Sequence, residues 1–434
     1  MNDSGVLYSQ SLTPTEQLRG MRAITRGQCV GVFGEMLFSN GVMLLYMTAM
    51  GLSSARVVFY LSLPWLLLSL FGIPAAFLND RFGKKKMGYL GQILYLACMG
   101  LLILGGFVRS PWNEVCLVIG IGVFGIGCAL FVGGFYALLS PIVPEKIRGR
   151  FFGHYRFAWQ TVVVALTAGC TLFLSKRSPL GAFQMVLAIA IVGFLLRMVF
   201  FYRQIPELEQ EKRSARGIGA IFMEVLRAEG YLPFCSYVFL LTLFTATGPT
   251  IFALIEREIL QYGDQQVVWL GNAALVGGIV GYLLGGFGVD RWGTRNVFLG
   301  SHFIYGAVFF LFLLRAVQPA PLFPYLVLVH LLFGVVSSTS ITAISTEMLA
   351  LIPPANKSLA ISICTTLQLA GNALAGMMSA WMLDLGLLQN SWKLFGTVLS
   401  RYDAILLVCG LMVVVLVVTL GLVPSVIRQS QQMP

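Results

Sequence analysis

Twelve apolar runs, each long enough to cross a bilayer as a helix, constrain this sequence more than any other feature. A transmembrane helix needs about 20 apolar residues. Inside a bilayer every backbone polar group must be satisfied within the protein, which a helix achieves locally. The pattern therefore predicts an all-α membrane protein with twelve transmembrane helices. The runs lie at approximately 28–50, 57–78, 87–107, 115–140, 154–174, 182–202, 231–255, 265–288, 296–316, 322–350, 358–384 and 403–424.

The charges are few and are distributed unevenly between the two sides of the predicted membrane. Asp, Glu, Lys and Arg make up 11% of the 434 residues, against about 25% in soluble proteins. If the N-terminus is cytoplasmic, 21 of the 29 Lys and Arg residues lie on the inner side. Because cytoplasmic loops carry such an excess, we expect both termini to be cytoplasmic, in a bacterial inner (plasma) membrane. The same distribution explains the net charge of +11 without a nucleic-acid partner.

One charge-dense stretch divides the runs into two groups of six. It spans 203–230 and separates a first half, 28–202, from a second half, 231–424. We interpret it as a cytoplasmic linker. Residues 1–27 are polar, contain no cleavable signal peptide and form a cytoplasmic N-terminal segment, and residues 425–434 form a cytoplasmic tail. The eight cysteines lie inside the apolar runs without the spacing of metal ligands, so no metal and no cofactor are expected.

One short loop occurs twice, after the second run and after the eighth. Both copies contain Asp-Arg, an aromatic residue and a glycine, followed by at least one cationic residue. The two Asp residues are 210 positions apart, and Pro144 and Pro354, which follow runs four and ten, have the same separation. The equal spacing indicates an internal duplication of about half the chain. The copies are Asp80-Arg81-Phe82-Gly83-Lys84 and Asp290-Arg291-Trp292-Gly293-Thr294-Arg295.

The two loops resemble the signature of the major facilitator superfamily, G-x-x-x-D-R-x-G-[RK]-[RK], although Ala76 and Thr294 depart from it. The resemblance implies two pseudo-symmetric six-helix halves, with the solute site at their interface near the middle of the bilayer. It also implies a cytoplasmic gate, in which each loop carboxylate accepts hydrogen bonds at the start of a helix of the other half. The alternative is that the loops only anchor the chain at the cytoplasmic surface. The gate residues are Asp80, Arg81, Gly83 and Lys84, with Asp290, Arg291, Gly293 and Arg295.

Glu35 lies inside the first run, where a carboxylate costs about 3 kcal/mol unless it is paired, hydrated or protonated. Low dielectric favours the protonated form of a carboxylate, and a neighbouring guanidinium favours the charged form. Arg156, at a comparable depth in run five, is the expected partner in one state of a transport cycle. We therefore predict that Glu35 and Arg156 couple transport to protons, with a fixed structural pair as the alternative. Arg197, late in run six, is expected to extend to the membrane surface.

Polar residues inside several runs are candidates for contacts with a solute. Run ten carries seven hydroxyl residues between positions 337 and 346, which suit a polar solute but also allow helices to pack closely. His302 and His330, in runs nine and ten, are predicted to form hydrogen bonds between helices, with a proton relay as the alternative. The Gly248-Pro249 pair should kink or break run seven. The cavity candidates are Asn40, Gln160, Asn272, Ser338, Thr342, Gln368 and Asn372.

Together these features predict a secondary active transporter that moves a small polar solute across the bilayer by alternating access, as a symporter or an antiporter coupled to protons. We expect it to be a monomer. An enzyme is disfavoured, because no loop is long enough to build a soluble active site and no nucleophile–base pair is present. The alternatives are a lipid or amphiphile flippase or exporter with the same fold, and a non-transporting membrane scaffold or sensor.

Overall fold

The chain forms two compact units, each built mainly of helices. In the computed structural model, unit 1 comprises Met1–Leu52 and Leu63–Ala215, and unit 2 comprises Ser53–Ser62 and Arg216–Pro434. The first residues of one long helix, Ser53–Ser62, therefore belong by their contacts to the second unit. The structure describes residues 12–39, 41–139, 142–144, 147–205, 223–317, 321–351, 357–386, 388–394 and 396–421.

The helices follow the predicted runs closely. The first half contains α1 (Pro14–Met36), α2 (Val42–Ala49), α3 (Ser54–Phe82), α4 (Lys84–Gly105), α5 (Trp112–Leu139), α6 (Arg148–Cys170) and α7 (Leu180–Gln204). The second half contains α8 (Tyr231–Thr245), α9 (Gly248–Leu254) with a π-helical turn (Ile255–Ile259), α10 (Asp264–Trp292), α11 (Thr294–Leu313) with a 3-10 turn (Leu314–Ala316), α12 (Leu322–Leu351), α13 (Lys357–Asp384), the strands β1 (Ser391–Leu394) and β2 (Thr397–Ser400), and α14 (Arg401–Leu416) with a π-helical turn (Val417–Gly421).

Ten of the predicted spans are confirmed, since ten described helices are long and apolar enough to cross a membrane. The helices of runs one and five are outside this set. The first begins in polar sequence and is interrupted, and α6 carries the polar residues His154, Arg156 and Gln160. The all-α membrane fold is thus established, and a total of twelve spans stays a prediction.

The first helix begins well before the predicted start of run one, because its N-terminus is capped. The backbone N–H of Glu16 donates to Thr13 Oγ1 at 3.3 Å, and the N–H of Thr13 donates to the Glu16 carboxylate at 2.9 Å. That backbone N–H lowers the pKa of the Glu16 carboxyl. The helix stops after Met36 and resumes at Val42, following Gly41 with a φ of 87°. This interruption was not predicted.

Glycines bring helices together in both units. In unit 1, α1 packs against α6 and α7, and a Cβ added to Gly34 would overlap the ring of Phe194. In unit 2, α10 packs against α12, and a Cβ added to Gly281 would overlap the carbonyl oxygen of Val335. Bulkier residues at these positions would force the helices apart, so the glycines fix the positions of the polar side chains that the helices carry.

The helix of run seven is broken at Gly248-Pro249, as predicted. The α8 helix ends at Thr245, α9 begins at Gly248, and the chain then continues into a π-helical turn. Pro249 occupies the first turn of α9, where its missing N–H costs no hydrogen bond. Run seven is therefore two helices joined by a two-residue hinge.

A short antiparallel hairpin, which the sequence analysis did not predict, precedes α14. Ser391 pairs with Ser400 and Leu394 with Thr397. Ser400 caps α14, because its N–H and Oγ both donate to Asp403 Oδ2 at 2.7 Å. The hairpin therefore determines where α14 begins.

Candidate functional site

The two Asp-Arg loops have the same local structure. Each glycine stands alone between two helices, Gly83 with φ 98° and ψ 129° and Gly293 with φ 80° and ψ 151°, a region that residues with a side chain rarely adopt. The following helix begins at a buried residue in both copies, Lys84 and Thr294. From the Asp onward, the order of exposed, half-buried and buried residues over 80–86 repeats over 290–296.

The two loop carboxylates, Asp80 and Asp290, are exposed. Neither makes a hydrogen bond or an ion pair within the part of the chain that the structure describes. The neighbouring Arg81 and Arg291 are also exposed, and each lies over an aromatic ring of its own helix, at 5.3 and 5.8 Å from the ring centroid. Their predicted contacts with the other half stay a prediction.

Glu35 forms an ion pair with Arg197 of α7. Arg197 Nη1 donates to Glu35 Oε1, Nη2 donates to Gln28 Oε1 at 2.8 Å, and Nε donates to the carbonyl oxygen of Gly27 at 3.3 Å. The guanidinium lies 4.8 Å from the ring centroid of Phe131. Since Arg197 is only 1% exposed, its charge is neutralised by Glu35 inside unit 1.

This geometry corrects the prediction that Arg197 extends to the membrane surface. The partner of Glu35 in this structure is Arg197 rather than Arg156, and Arg197 is buried instead of extending to the membrane surface. The physical reason is that Gly31 on α1 leaves room for Arg197, because a Cβ at this position would overlap Nε, Cδ and Cζ of the arginine. Arg156 is half-buried on α6, so its predicted pairing with Glu35 can apply only to another state.

A cavity of about 10 Å³ lies beside Arg197 and Gln28. This volume accommodates about one water molecule, so it is too small for a solute. Two of the predicted solute-contact residues belong to the first half. Gln160 is buried on α6, and Asn40 lies outside the described residues.

The hydroxyl residues of run ten form hydrogen bonds within and between helices. Thr342 Oγ1 donates to the carbonyl oxygen of Ser338 at 3.0 Å, and Thr339 Oγ1 donates to the carbonyl oxygen of Gly281 on α10 at 3.0 Å. Ser338 is buried and faces Gly281. Helix packing therefore uses part of this hydroxyl set, and a contact of Ser338 or Thr342 with a solute stays a prediction.

A second polar feature of unit 2 is the histidine chain, defined here as Tyr237, His302 and Ser340. Tyr237 Oη lies 3.0 Å from His302 Nδ1, and Ser340 Oγ lies 2.7 Å from His302 Nε2. All three residues are buried and they come from α8, α11 and α12. The prediction that His302 forms hydrogen bonds between helices is confirmed.

Three predicted cavity amides lack side-chain hydrogen bonds among the described residues. Asn272 on α10 is only 2% exposed, and neither its Oδ1 nor its Nδ2 has a partner there. Gln368 and Asn372 are half-buried one turn apart on α13. A buried polar group without a partner costs about 1–3 kcal/mol, which a bound water or solute can recover.

Comparisons with known proteins agree with this architecture. The sequence profile of the Major Facilitator Superfamily matches residues 27–263. No curated protein matches the chain significantly by sequence.

Several solved structures share the fold over almost the whole chain. A point mutant of the nucleoside transporter NupG has a TM-score of 0.71 at 13% identity, covering 93% of this chain and 98% of that one. The xylose transporter XylE from E. coli, in a partially occluded inward-open conformation, has a TM-score of 0.67 at 15% identity, covering 93% and 97%. A POT family transporter in complex with 5-aminolevulinic acid has a TM-score of 0.73 at 11% identity, covering 92% and 95%.

Proposed function

The chain belongs to the major facilitator superfamily, and we propose that it is a secondary active transporter that moves a small polar solute across the membrane by alternating access. The observation that carries the proposal is the pair of Asp-Arg loops, which have the same glycine conformation and the same order of buried and exposed residues in both halves. A scaffold or sensor that needs one static conformation would not require two such loops. We place the protein in a bacterial inner membrane with both termini in the cytoplasm, working as a monomer.

The two loops act as the cytoplasmic gate in this proposal. When the gate is closed, Asp80 and Asp290 accept hydrogen bonds from backbone N–H groups at the start of a helix of the opposite half. Such contacts exist in one conformation only, so they bias an equilibrium between two states. Asp80→Asn should shift the population toward states that are open to the cytoplasm, because the neutral amide accepts these hydrogen bonds less strongly.

Double electron–electron resonance between spin labels at the cytoplasmic helix ends measures that shift. Asp384→Asn is the matched control, since Asp384 is likewise an exposed aspartate at a helix end but lies outside the loops. Unchanged distances in Asp80→Asn would refute the gate.

The solute is small and polar in this proposal, since the side-chain amide of Asn272 is buried and neither of its polar atoms has a partner among the described residues. Nucleosides, xylose and 5-aminolevulinic acid are the small molecules named for the transporters of similar fold reported above, and all of them are polar. Asn372→Ala should weaken solute binding by about 0.5–1.5 kcal/mol for each neutral hydrogen bond lost. A thermal-shift panel of sugars, nucleosides, amino acids, peptides, organic anions and lipids identifies the ligand, because a bound ligand stabilises the folded state. Stabilisation by lipids alone would favour a flippase.

Protons drive the transport in this proposal, through Glu35. In the described state its charge is neutralised by Arg197. When Glu35 and Arg197 separate, the Glu35 carboxylate remains in low dielectric and favours its protonated form. Alternatively, it pairs with Arg156 on α6. Glu35→Gln should therefore abolish accumulation driven by a pH gradient in proteoliposomes, while downhill exchange continues. A Glu35→Gln protein that still concentrates solute would make Glu35 structural.

A further inference from the structure

Unit 2 buries a carboxylate, Glu256, against a histidine. Glu256 lies in the π-helical turn after α9, and His330 lies on α12. His330 Nε2 is 3.0 Å from Glu256 Oε1, and the two side chains are 7% and 1% exposed. The rings of Phe252 and Phe312 lie edge-on to the imidazole, at 5.5 and 6.1 Å between centroids. Aromatic rings thus flank the imidazole.

The tautomer of His330 follows from its second contact. Nδ1 lies 2.9 Å from the carbonyl oxygen of Leu326, and a carbonyl oxygen can only accept, so Nδ1 carries a hydrogen. A neutral His330 therefore presents the lone pair of Nε2 to Glu256, and an ionised Glu256 also presents lone pairs. Their 3.0 Å contact is favourable only when a proton lies on one of the two facing atoms.

The other charged groups near this pair have partners that do not depend on a histidine proton. Arg257 pairs with Asp264 at 3.2 Å, and Arg315 pairs with Asp403 at 2.6 Å. Both cations are guanidinium groups, which stay charged at every physiological pH. Tyr262, whose backbone N–H donates to the carbonyl oxygen of Glu256 at 2.9 Å, and Glu258 are further ionisable residues beside the pair.

Glu258 connects the same π-helical turn to α3. Ser54 Oγ donates to Glu258 Oε1, and Tyr402 Oη donates to Glu258 Oε2, both at 2.5 Å. Ser54 is the first residue of α3, within the segment Ser53–Ser62 that belongs to unit 2. The turn therefore contacts α12 through Glu256 and α3 through Glu258, and it follows the hinge before α9. Inserted π-helical turns are frequent at functional sites.

We propose that Glu256 and His330 form a proton-binding site, in which a proton on His330 Nε2 gives an imidazolium that pairs with the Glu256 carboxylate and holds the π-helical turn on α12. Release of this proton to water leaves two lone pairs facing each other, so the turn separates from α12 and loosens its contact with Ser54 of α3. This role in coupling rests on the proposed transport function, although the proton site itself does not.

Nitrogen-15 NMR of histidine-labelled protein in nanodiscs tests the site without any substrate. The chain contains three histidines, His154, His302 and His330, so substitution of the other two assigns the signals. In the wild type we expect His330 Nε2 to lose its proton-bound shift in one step between about pH 5 and 9. In Glu256→Gln the amide donates to Nε2, so His330 should remain neutral with Nδ1 protonated, and the step should be lost. Glu258→Gln is the matched control and should retain the step.

Hydrogen–deuterium exchange of residues 53–62 reports the conformational consequence. In the wild type we expect the protection of these amides, relative to the intrinsic exchange rate, to be lower above the pH at which His330 loses its proton than below it. In Glu256→Gln we expect the same protection at both pH values. If Glu256→Gln does not fold, infrared spectroscopy of the wild type and of His330→Gln replaces it. With the proton on His330 Nε2, Glu256 is a carboxylate in the wild type, whereas in His330→Gln no imidazolium faces it and a buried carboxylic-acid band should appear. A His330 signal that is constant over this range, or one that is identical in the wild type and Glu256→Gln, would overturn the proton site. A negative flux assay would instead count against the transport function and leave the NMR result standing.

Discussion

Replacement of Gly31 by alanine should destabilise unit 1 by displacing Arg197 from Glu35. A Cβ at Gly31 would overlap Nε, Cδ and Cζ of Arg197, and the guanidinium cannot move away without losing its contacts with Glu35 and Gln28. Gly27, one turn earlier on the same face of α1, offers a matched control. There a Cβ would lie 3.5 Å from Phe200 Cβ and 3.8 Å from Arg197 Cγ, in ordinary van der Waals contact.

The magnitude follows from two opposing contributions. Breaking a buried ion pair while the charges stay buried costs about 3–5 kcal/mol. Alanine in place of glycine inside a helix stabilises by about 1 kcal/mol. Gly31→Ala should therefore lose about 2–4 kcal/mol of unfolding free energy, whereas Gly27→Ala should be neutral or more stable.

Unfolding in mixed detergent–SDS micelles, followed by tryptophan fluorescence, measures both variants. A further comparison isolates the ion pair: in an Arg197→Met background there is no guanidinium to displace, so Gly31→Ala should lose most of its excess cost. If Gly31→Ala is as stable as Gly27→Ala in the wild-type background, Arg197 is not held as described and the reasoning fails.

Three further predictions about unit 2 can be tested by the same unfolding assay. Gly281→Ala should destabilise by forcing α10 away from α12, whereas Gly286→Ala should be tolerated, since a Cβ there meets no atom within 4 Å; equal stabilities would contradict the close approach. Asp403→Asn should lower the unfolding free energy by about 3–5 kcal/mol, because it leaves the buried Arg315 without a counter-charge. A loss below about 1 kcal/mol would show that solvent screens this pair as it screens surface pairs. In the histidine chain, Ser340→Ala should cost about 0.5–1.5 kcal/mol for one hydrogen bond, and no change would show that a water replaces the hydroxyl.

The helices could be predicted from the sequence because their signals are local. Apolar length gives the spans, Gly248-Pro249 marks the break in run seven, and the Asp-Arg loops identify the family. The early start of α1 was missed, although Thr13 and Glu16 have the spacing of a capping box. Apolar length predicts only membrane-spanning helices, and residues 1–27 are too polar to be predicted as helical in this way.

The ion pairs were predicted less well because they depend on which side chains face each other across helices. Arg197 was expected at the surface, yet Gly27, Gly31 and Glu35 are spaced four residues apart and share one face of α1. A stripe of glycines that leads to a carboxylate indicates a long side chain opposite, and this signal could have identified a buried arginine. No local feature links Glu256 to His330, since 74 residues separate them in the chain.

Solute flux in proteoliposomes tests the transport function most directly. Purified protein is reconstituted with an inward-directed proton gradient, vesicles are incubated with a mixture of nucleosides, sugars, amino acids and short peptides, and their contents are measured by mass spectrometry. We expect saturable accumulation of at least one polar solute in wild-type vesicles, reduced in vesicles with Asp80→Asn and absent from protein-free vesicles. Contents that match those of protein-free vesicles for every solute, with protein shown to be folded and inserted, would contradict the transporter and favour a membrane scaffold or sensor.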